Sequence, residues 1–513
     1  MTHWLIVPVV LPALMAPFIV LAARYHLSIQ RVMSVATMLA LVALGAGLMW
    51  QTSDGTVLLY QLGDWAAPFG IVLVGDRLST MMVLLTAILA LFVLIYAIGS
   101  GWDTRGRHFH ALYQFQLMGI LGAFLTGDLF NLFVFFEVLL IASYGLMIHA
   151  GGNERLKAGV QYVLFNLLGS TLFLFALGSI YAETGTLNMA DLAIRVQGLE
   201  PGAETAGLRV AAVLLILVFA IKAALVPLHF WLPSSYAEAP APVAALFAIM
   251  TKVGAYAIIR VYTMVFPAEI EATAGLHGTW LLPLALVSVA VGALGILAAK
   301  KLDRLVTFAV ISSMGTVLVA VGMFSQVGIA AALYYMLHST LAAAILFLVV
   351  DLTRHGRDTL QLITRAPVAG AALTAGLFFF GAIAMTGLPP LSGFLGKIMV
   401  LQAGFAQPAA VWIFSVILIS SLVSVVGFGR AGSTVYWKAN IVEPDPESEA
   451  TAPSVMAYAG VGGLAAVLIL LTVFAGQVHS YTQATSAQLF APNTYLSVVL
   501  ETPGKLSDPK GGE

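Results

Sequence analysis

Four ionisable side chains, Glu137, Lys222, Lys252 and Lys397, fall inside stretches otherwise suited to the interior of a lipid bilayer. A charge at the centre of a membrane helix costs roughly 2.5–3.5 kcal/mol on insertion scales. Four of them together cost on the order of 10 kcal/mol, comparable with the stability of a whole domain. The chemistry that repays such a cost is proton transfer. Burial favours the neutral form of a lysine or a glutamate, and a nearby opposite charge restores the ionised form. A lysine whose carboxylate partner comes and goes therefore alternates between holding and releasing a proton. A row of such groups bridged by water is a relay; Glu137, Lys222 and Lys252 supply both signs, and Lys397, far along the chain, is its expected end.

Helix breakers sit beside two of these lysines. FAIKAALVPLHFWLP (219–233) carries Lys222, Pro227 and His229, and LPPLSGFLGK (388–397) carries Pro389, Pro390 and Lys397. Proline removes a backbone donor and frees a carbonyl one turn earlier, which membranes tolerate where the break is buried in protein or lines a wet cavity. Two interrupted helices in corresponding places are the usual mark of a transport site built from inverted repeats. His338, mid-run in LYYMLHST, and His229 are further candidates, since an imidazole titrates near neutral pH. His149 and His355 read as interfacial. Asp128 and Asn131 in TGDLFNLFVFFE form either an ion entrance or a helix cap. Asp76 reads as a cap, and Arg260, near a run's end, as a side chain snorkelling to the headgroups.

The elements that must position these residues are membrane helices. The 513 residues are 60% hydrophobic and 9% charged, against about 25% charged in soluble domains. Apolar runs predict an all-α, polytopic fold of fourteen helices, at roughly 4–23, 31–50, 76–99, 109–127, 129–149, 156–181, 208–231, 242–265, 279–299, 304–324, 327–350, 370–404, 409–429 and 453–476. The twelfth is too long for one simple helix and should break at Leu388–Gly393. Alternating the loops puts fourteen of the 23 basic residues on one side, five on the other and four inside helices. Basic loops stay cytoplasmic, so both termini are expected on the outer face. The first run, with no basic residue before it and Arg24 after it, reads as retained rather than as a cleaved signal. The stretches 51–75, 182–207 and 430–452 and the tail from Gln477 are too modest for a catalytic domain, and EPDPESE (443–449) reads as a solvated loop.

Other classes are excluded. A net charge of −1 gives no nucleic-acid footprint. With no cysteine there is no thiolate metal site, iron–sulfur cluster or disulfide. The sequence has no P-loop, HExxH or Rossmann fingerprint. No metal or cofactor is expected, and the chain reads as a component of a secondary transporter rather than an enzyme.

The stretch from Lys222 through PLHFWLP and AEAPAPV to Lys252-Val-Gly-Ala-Tyr resembles the signature of antiporter-like membrane subunits, found in Mrp-type cation/proton antiporters, respiratory complex I and membrane-bound hydrogenases. Glu137 and LPPLSGFLGK fit the same pattern, over roughly residues 70–430. The resemblance implies inverted five-helix repeats, helices 4–8 and 9–13, with helices 7 and 12 broken. It divides the chain into 1–105 (helices 1–3), 106–265, 279–430, and 431–513 (a cytoplasmic loop, helix 14 and an outward tail). It implies that Glu137 pairs with Lys222 and that Lys252, His338 and Lys397 continue a hydrated axis. Relatives often carry a lysine four residues after the histidine; here Ala342 stands there, which leaves His338 and water to serve that half.

GDLFNLFVFFEVLLIASYGL (127–146) looks most like the D-type component of Mrp systems, including the Pha-type potassium systems. The tail from Gln477 could make at most about 55 Å of helix, unlike the long lateral helix of the longest complex I subunit. The resemblance therefore implies a proton-translocating subunit of a Na⁺ or K⁺/H⁺ antiporter, in a hetero-oligomer with other Mrp or Pha subunits in the bacterial inner membrane. A proton-pumping subunit of a complex I-like oxidoreductase or a membrane-bound hydrogenase is the alternative, and a non-transporting scaffold a third reading.

Overall fold

Inside a bilayer every backbone N–H and C=O must be satisfied within the protein, which for apolar runs of this length means helix. The computed structural model describes residues 3–199, 205–270, 273–275, 277–355, 357, 359–367, 369–442 and 452–504; segment 443–449, Lys505 and Lys510 lie outside these. The first six apolar runs fold as α1 (Val7–Ala22), α2 (Leu27–Gln51), α3 (Arg77–Gly99), α4 (Phe109–Leu125), α5 (Leu129–Met147) and α6 (Asn153–Thr184). A short α7 (Met189–Gln197) lies in the following loop. The seventh run is interrupted between α8 (Ala206–Lys222) and α9 (Trp231–Glu238), so regular helix stops at Lys222 itself rather than continuing to 231. The eighth divides into α10 (Ala241–Phe247) and α11 (Met250–Met264), followed by α12 (Leu282–Ala298), α13 (Leu302–Gly322) and α14 (Gln326–Arg354). The twelfth breaks between α15 (Ala371–Thr386) and α16 (Ser392–Gly404), and α17 (Ala410–Gly432) and α18 (Val455–Val473) follow. Among the described residues, ten helical stretches are long and apolar enough to cross a membrane, with α1, α4 and α15 shorter but apolar.

Side-chain caps set several helix starts. Asp76 and Ser79 form a reciprocal capping box on α3, Asp128 caps α5 and Ser325 caps α14. Such caps satisfy orphan N–H groups of the first turn. Helices α11, α13 and α14 are enclosed by protein, while α2, α6, α17 and α18 expose Val32, Leu164, Leu422 and Val473 at the periphery.

Among the described residues, which are nearly all helical, there is one small sheet. Strands β1 (Leu58–Gln61) and β2 (Val72–Gly75) pair antiparallel, Leu58 opposite Gly75. At the same end of the bundle, α19 (Ala475–Phe490) and α20 (Asn493–Glu501) fold the tail back across the surface. Gln61 donates to Thr502 O at 3.0 Å, Gln488 to Gly55 O at 2.9 Å, and Arg77 to Ala484 O at 3.1 Å. At the opposite, basic end, arginines satisfy loop carbonyls: Arg155 donates to the carbonyls of His149, Gly151 and Glu238, and Arg430 to that of Ala299.

Candidate functional site

Lys222 is the last residue of α8, where a helix presents unsatisfied carbonyls and favours positive charge. Its buried ammonium donates to Asn166 Oδ1 at 3.0 Å and stands 5.7 Å above the Phe136 ring. Glu137, on α5 and half-buried, accepts from Ser170 Oγ. Asn166 and Ser170 lie one turn apart on α6, which puts a neutral partner on each charge. Among the described residues no ion pair within 4.0 Å joins Glu137 to Lys222, although the carboxylate is close enough to act on the lysine electrostatically.

The backbone freed by the break is accounted for. Trp231 Nε1 donates to Ile221 O at 3.1 Å, and Val226 N donates to Ser288 Oγ of α12 at 2.9 Å. Pro227 and Phe230 face outward, and His229, between them, is partly exposed; the break thus lies at the side of the protein, not wrapped inside it. Gly254 explains how α11 reaches the end of α8. A Cβ there would stand 2.7 Å from Ala223 N and 2.8 Å from Phe219 O, so only glycine lets the backbone of α11 pack this closely on the end of α8.

Lys252 occupies the first turn of α11, beside an interruption at Ala248 and Ile249 that no proline or glycine announces. Its Nζ is buried and has no protein hydrogen-bond partner among the described residues. His338 is fully buried in α14, with Nδ1 2.9 Å from Ser392 Oγ at the start of α16. Lys252 and Lys397 are both near enough to act on the charge of this ring. Lys397 turns back across the second break to donate to Thr386 O, the last residue of α15, at 2.7 Å, and to Ser421 Oγ at 2.8 Å. Gly393 makes the crossing possible: a Cβ would meet Ala384 O at 2.1 Å and His338 Nε2 at 2.7 Å. Pro389 and Pro390, like Pro227, are exposed. Ala342, one turn beyond His338, is buried among apolar neighbours.

Comparison with known proteins matches residues 126–424 to the family described as NADH:quinone oxidoreductase/Mrp antiporter, transmembrane. The D-type component of a probable K⁺/H⁺ antiporter from Rhizobium meliloti is 39% identical, over 98% of this chain and 98% of its own length. This chain belongs to that family. The D-type component of a Na⁺/H⁺ antiporter from Alkalihalophilus pseudofirmus is 36% identical over 98% of this chain and all of its own. A chain of the Mrp complex from Dietzia sp. DQ12-45-1b superposes with a TM-score of 0.85 at 27% identity, over 98% of this chain and 100% of its own.

Three polar features of this family member stand apart from the lysine row. Arg260 does not snorkel: only 3% exposed, it forms a bidentate pair with Asp76 at 2.6 and 2.7 Å, between the Tyr256 and Tyr495 rings. Its partner is 184 positions away, beyond the reach of local sequence reading. Burial pushes the Asp76 carboxyl up, but Arg260 outweighs it and leaves the group below the ordinary range. Asp128 caps α5 by accepting from Asn131 N at 2.8 Å. Burial drives its carboxyl up to about 6 against the pull of the Asn131 and Phe130 amides. His149, just past the end of α5, is buried and bonded to Trp102 O at 2.9 Å.

Sequence reasoning missed Asn166, Ser170, Thr386, Ser392 and Ser421, the neutral partners of the charged row. It also missed Gln114, whose amide is buried on α4 without a protein partner among the described residues. The available signal was weak, a single amide or hydroxyl within an apolar run.

Proposed function

We propose that this chain is the proton-translocating subunit of a multisubunit Na⁺ or K⁺/H⁺ antiporter, with protons passing along Glu137, Lys222, Lys252, His338 and Lys397. The observation that carries this reading is the state of the lysines: three amines within the helical bundle, none ion-paired among the described residues, each at or reaching across a helix interruption. A structural lysine is paired when buried. A lysine that hands on a proton needs a partner it can leave, and a neutral amide, carbonyl or hydroxyl is such a partner. Glu137 modulates Lys222, Lys252 carries protons along the axis, and Lys397 gates the exit; His229, beside the first break, is a lesser participant. The cation in exchange is inferred from the relatives, whose names assign them to K⁺/H⁺ and Na⁺/H⁺ antiporters.

In this proposal the segments 106–265 and 279–430 are the two inverted repeats, flanked by 1–105 and 431–513. Both termini face outward across the bacterial inner membrane, because the loops crowded with arginine and lysine stay inside. Other subunits of the antiporter surround the chain.

Everted vesicles carrying the whole complex test the reading through cation-dependent collapse of an imposed proton gradient. Lys222→Ala and Glu137→Ala should each abolish the response while the complex still assembles. Undiminished exchange in either variant overturns the assignment.

A further inference from the structure

At the basic end of the bundle, the turn between α1 and α2 faces the segment between α3 and α4 across a cavity of about 240 Å³. Arg24, Arg107 and His108 line it, with Gln30 and Asp103. Asp103 does not cancel the arginines, because it is already engaged. It accepts from Arg31 at 2.6 and 2.9 Å, and His110 lies 3.2 Å from it. Burial raises the Asp103 carboxyl, but His110 and Arg31 outweigh burial and hold it ionised below the usual range.

Arg24 and Arg107 are left with no carboxylate within 4.0 Å and no hydrogen-bond acceptor among the described residues. Arg24 keeps only the face of the Tyr25 ring, 5.5 Å away. Gln30 stiffens the turn, its amide donating to Ala23 O at 2.9 Å and Arg24 O at 3.2 Å. His108 holds a left-handed backbone, φ 67°, uncommon for any residue but glycine.

A second observation concerns what lies beside the cavity. Leu14, Phe18 and Leu21 are exposed and follow helical spacing down one face of α1, and exposed Tyr25, in the turn beyond it, carries this surface to the cavity's rim. Ile29 and Val32 of α2 continue this apolar surface on the far side. An apolar stripe that runs into a pocket with two unpaired guanidiniums has the shape of an amphiphile with a negative head.

We infer that this cavity is a binding site for an anionic phospholipid, with the phosphodiester between Arg24 and Arg107 beside His108 and an acyl chain along Leu14, Phe18 and Leu21. Guanidinium forks match phosphate oxygens, and basic pockets between membrane helices are suited to lipid headgroups. Lipid binding at this site is independent of the proton row and of which cation is exchanged.

The test uses the purified complex, stripped of lipid with detergent and titrated with phosphatidylglycerol, phosphatidylcholine or inorganic phosphate under native mass spectrometry. Phosphatidylglycerol should bind in preference to phosphatidylcholine, and inorganic phosphate should displace it poorly. Arg24→Gln with Arg107→Gln should weaken phosphatidylglycerol roughly 30-fold; Arg24→Lys with Arg107→Lys should keep most of the affinity. Equal binding of the two lipids overturns the proposal, as does an unchanged affinity in the glutamine variant. Efficient displacement by phosphate would make it a site for free anions. Loss of a neighbouring subunit at unchanged lipid affinity would make it a protein contact.

Discussion

Lys222 donates to Asn166, while Glu137 is held by Ser170 one turn further along the same helix. The two opposite charges are thus separated by a pair of neutral groups on α6. A direct ion pair would hold a proton on the lysine permanently. An amide oxygen stabilises the ammonium by a smaller amount, about 1.5–3 kcal/mol for a hydrogen bond to a charge, and leaves the carboxylate free to add to that or withdraw. Asn166→Ala should therefore slow cation/proton exchange by roughly tenfold or more, read as initial rate in everted vesicles at matched expression. An unchanged rate would show that Lys222 takes another partner during turnover.

Two glycines hold the breaks against their neighbours. Gly393→Ala and Gly254→Ala each push a methyl group into backbone atoms under 3 Å away. Overpacking of this kind costs about 1–3 kcal/mol. Both variants should lower the melting temperature of the purified complex. Gly376→Ala, inside α15, where the added methyl meets no side chain and no neighbouring helix within 4 Å, should not lower it.

The Asp76–Arg260 pair ties the start of α3 to α11. Removing one partner of a buried pair leaves an uncompensated charge, at a cost of about 3–5 kcal/mol. Arg260→Met should destabilise strongly. Combining it with Asp76→Asn should recover part of the loss, because the stranded carboxylate disappears while the helix cap remains. Additive losses in the thermal double-mutant cycle would contradict the coupling.

Asp128 supplies a pH test. Its folded carboxyl, raised to about 6 by burial, binds its proton more tightly than the unfolded group near 3.9. Stability therefore falls as pH rises from about 4 to about 6 and is level above that, the cost reaching roughly 3 kcal/mol. Asp128→Asn keeps a capping oxygen without the charge. It should be more stable at pH 7 and lose this slope, measured by thermal unfolding across pH. If Asp128 also serves as an ion entrance, the same variant will take up cation more slowly despite its greater stability.

What the sequence made legible follows the size of the energies involved. Glu137, Lys222, Lys252 and Lys397 stood out because a charge in hydrocarbon is costly, and the interruptions near Pro227 and Pro389 because proline removes a donor. The capping role of Asp76 was readable too, being local. Arg260 was misread, since the group that neutralises it comes from a distant segment. The break before Lys252 was invisible because Pro242 suits a helix start and nothing in VAALFAIM after it stops a helix. Asn166, Ser170 and Ser421 passed unnoticed because a lone hydroxyl or amide is inexpensive in a membrane helix. The hairpin at 58–75 lacks the length or composition to announce itself beside fourteen apolar runs.

Pro227 and Phe230 at one interruption, and Leu388, Pro389 and Pro390 at the other, open onto the flank of the molecule. Hydrocarbon offers no donor or acceptor to irregular main chain. A solitary copy in a bilayer would set both proline-bearing stretches against lipid, with Trp231 and Ser288 covering backbone groups at the first, and sister subunits would be expected to shield them. Biogenesis of this chain is in that sense unfinished at insertion, and a cell short of the sisters would be expected to degrade the surplus.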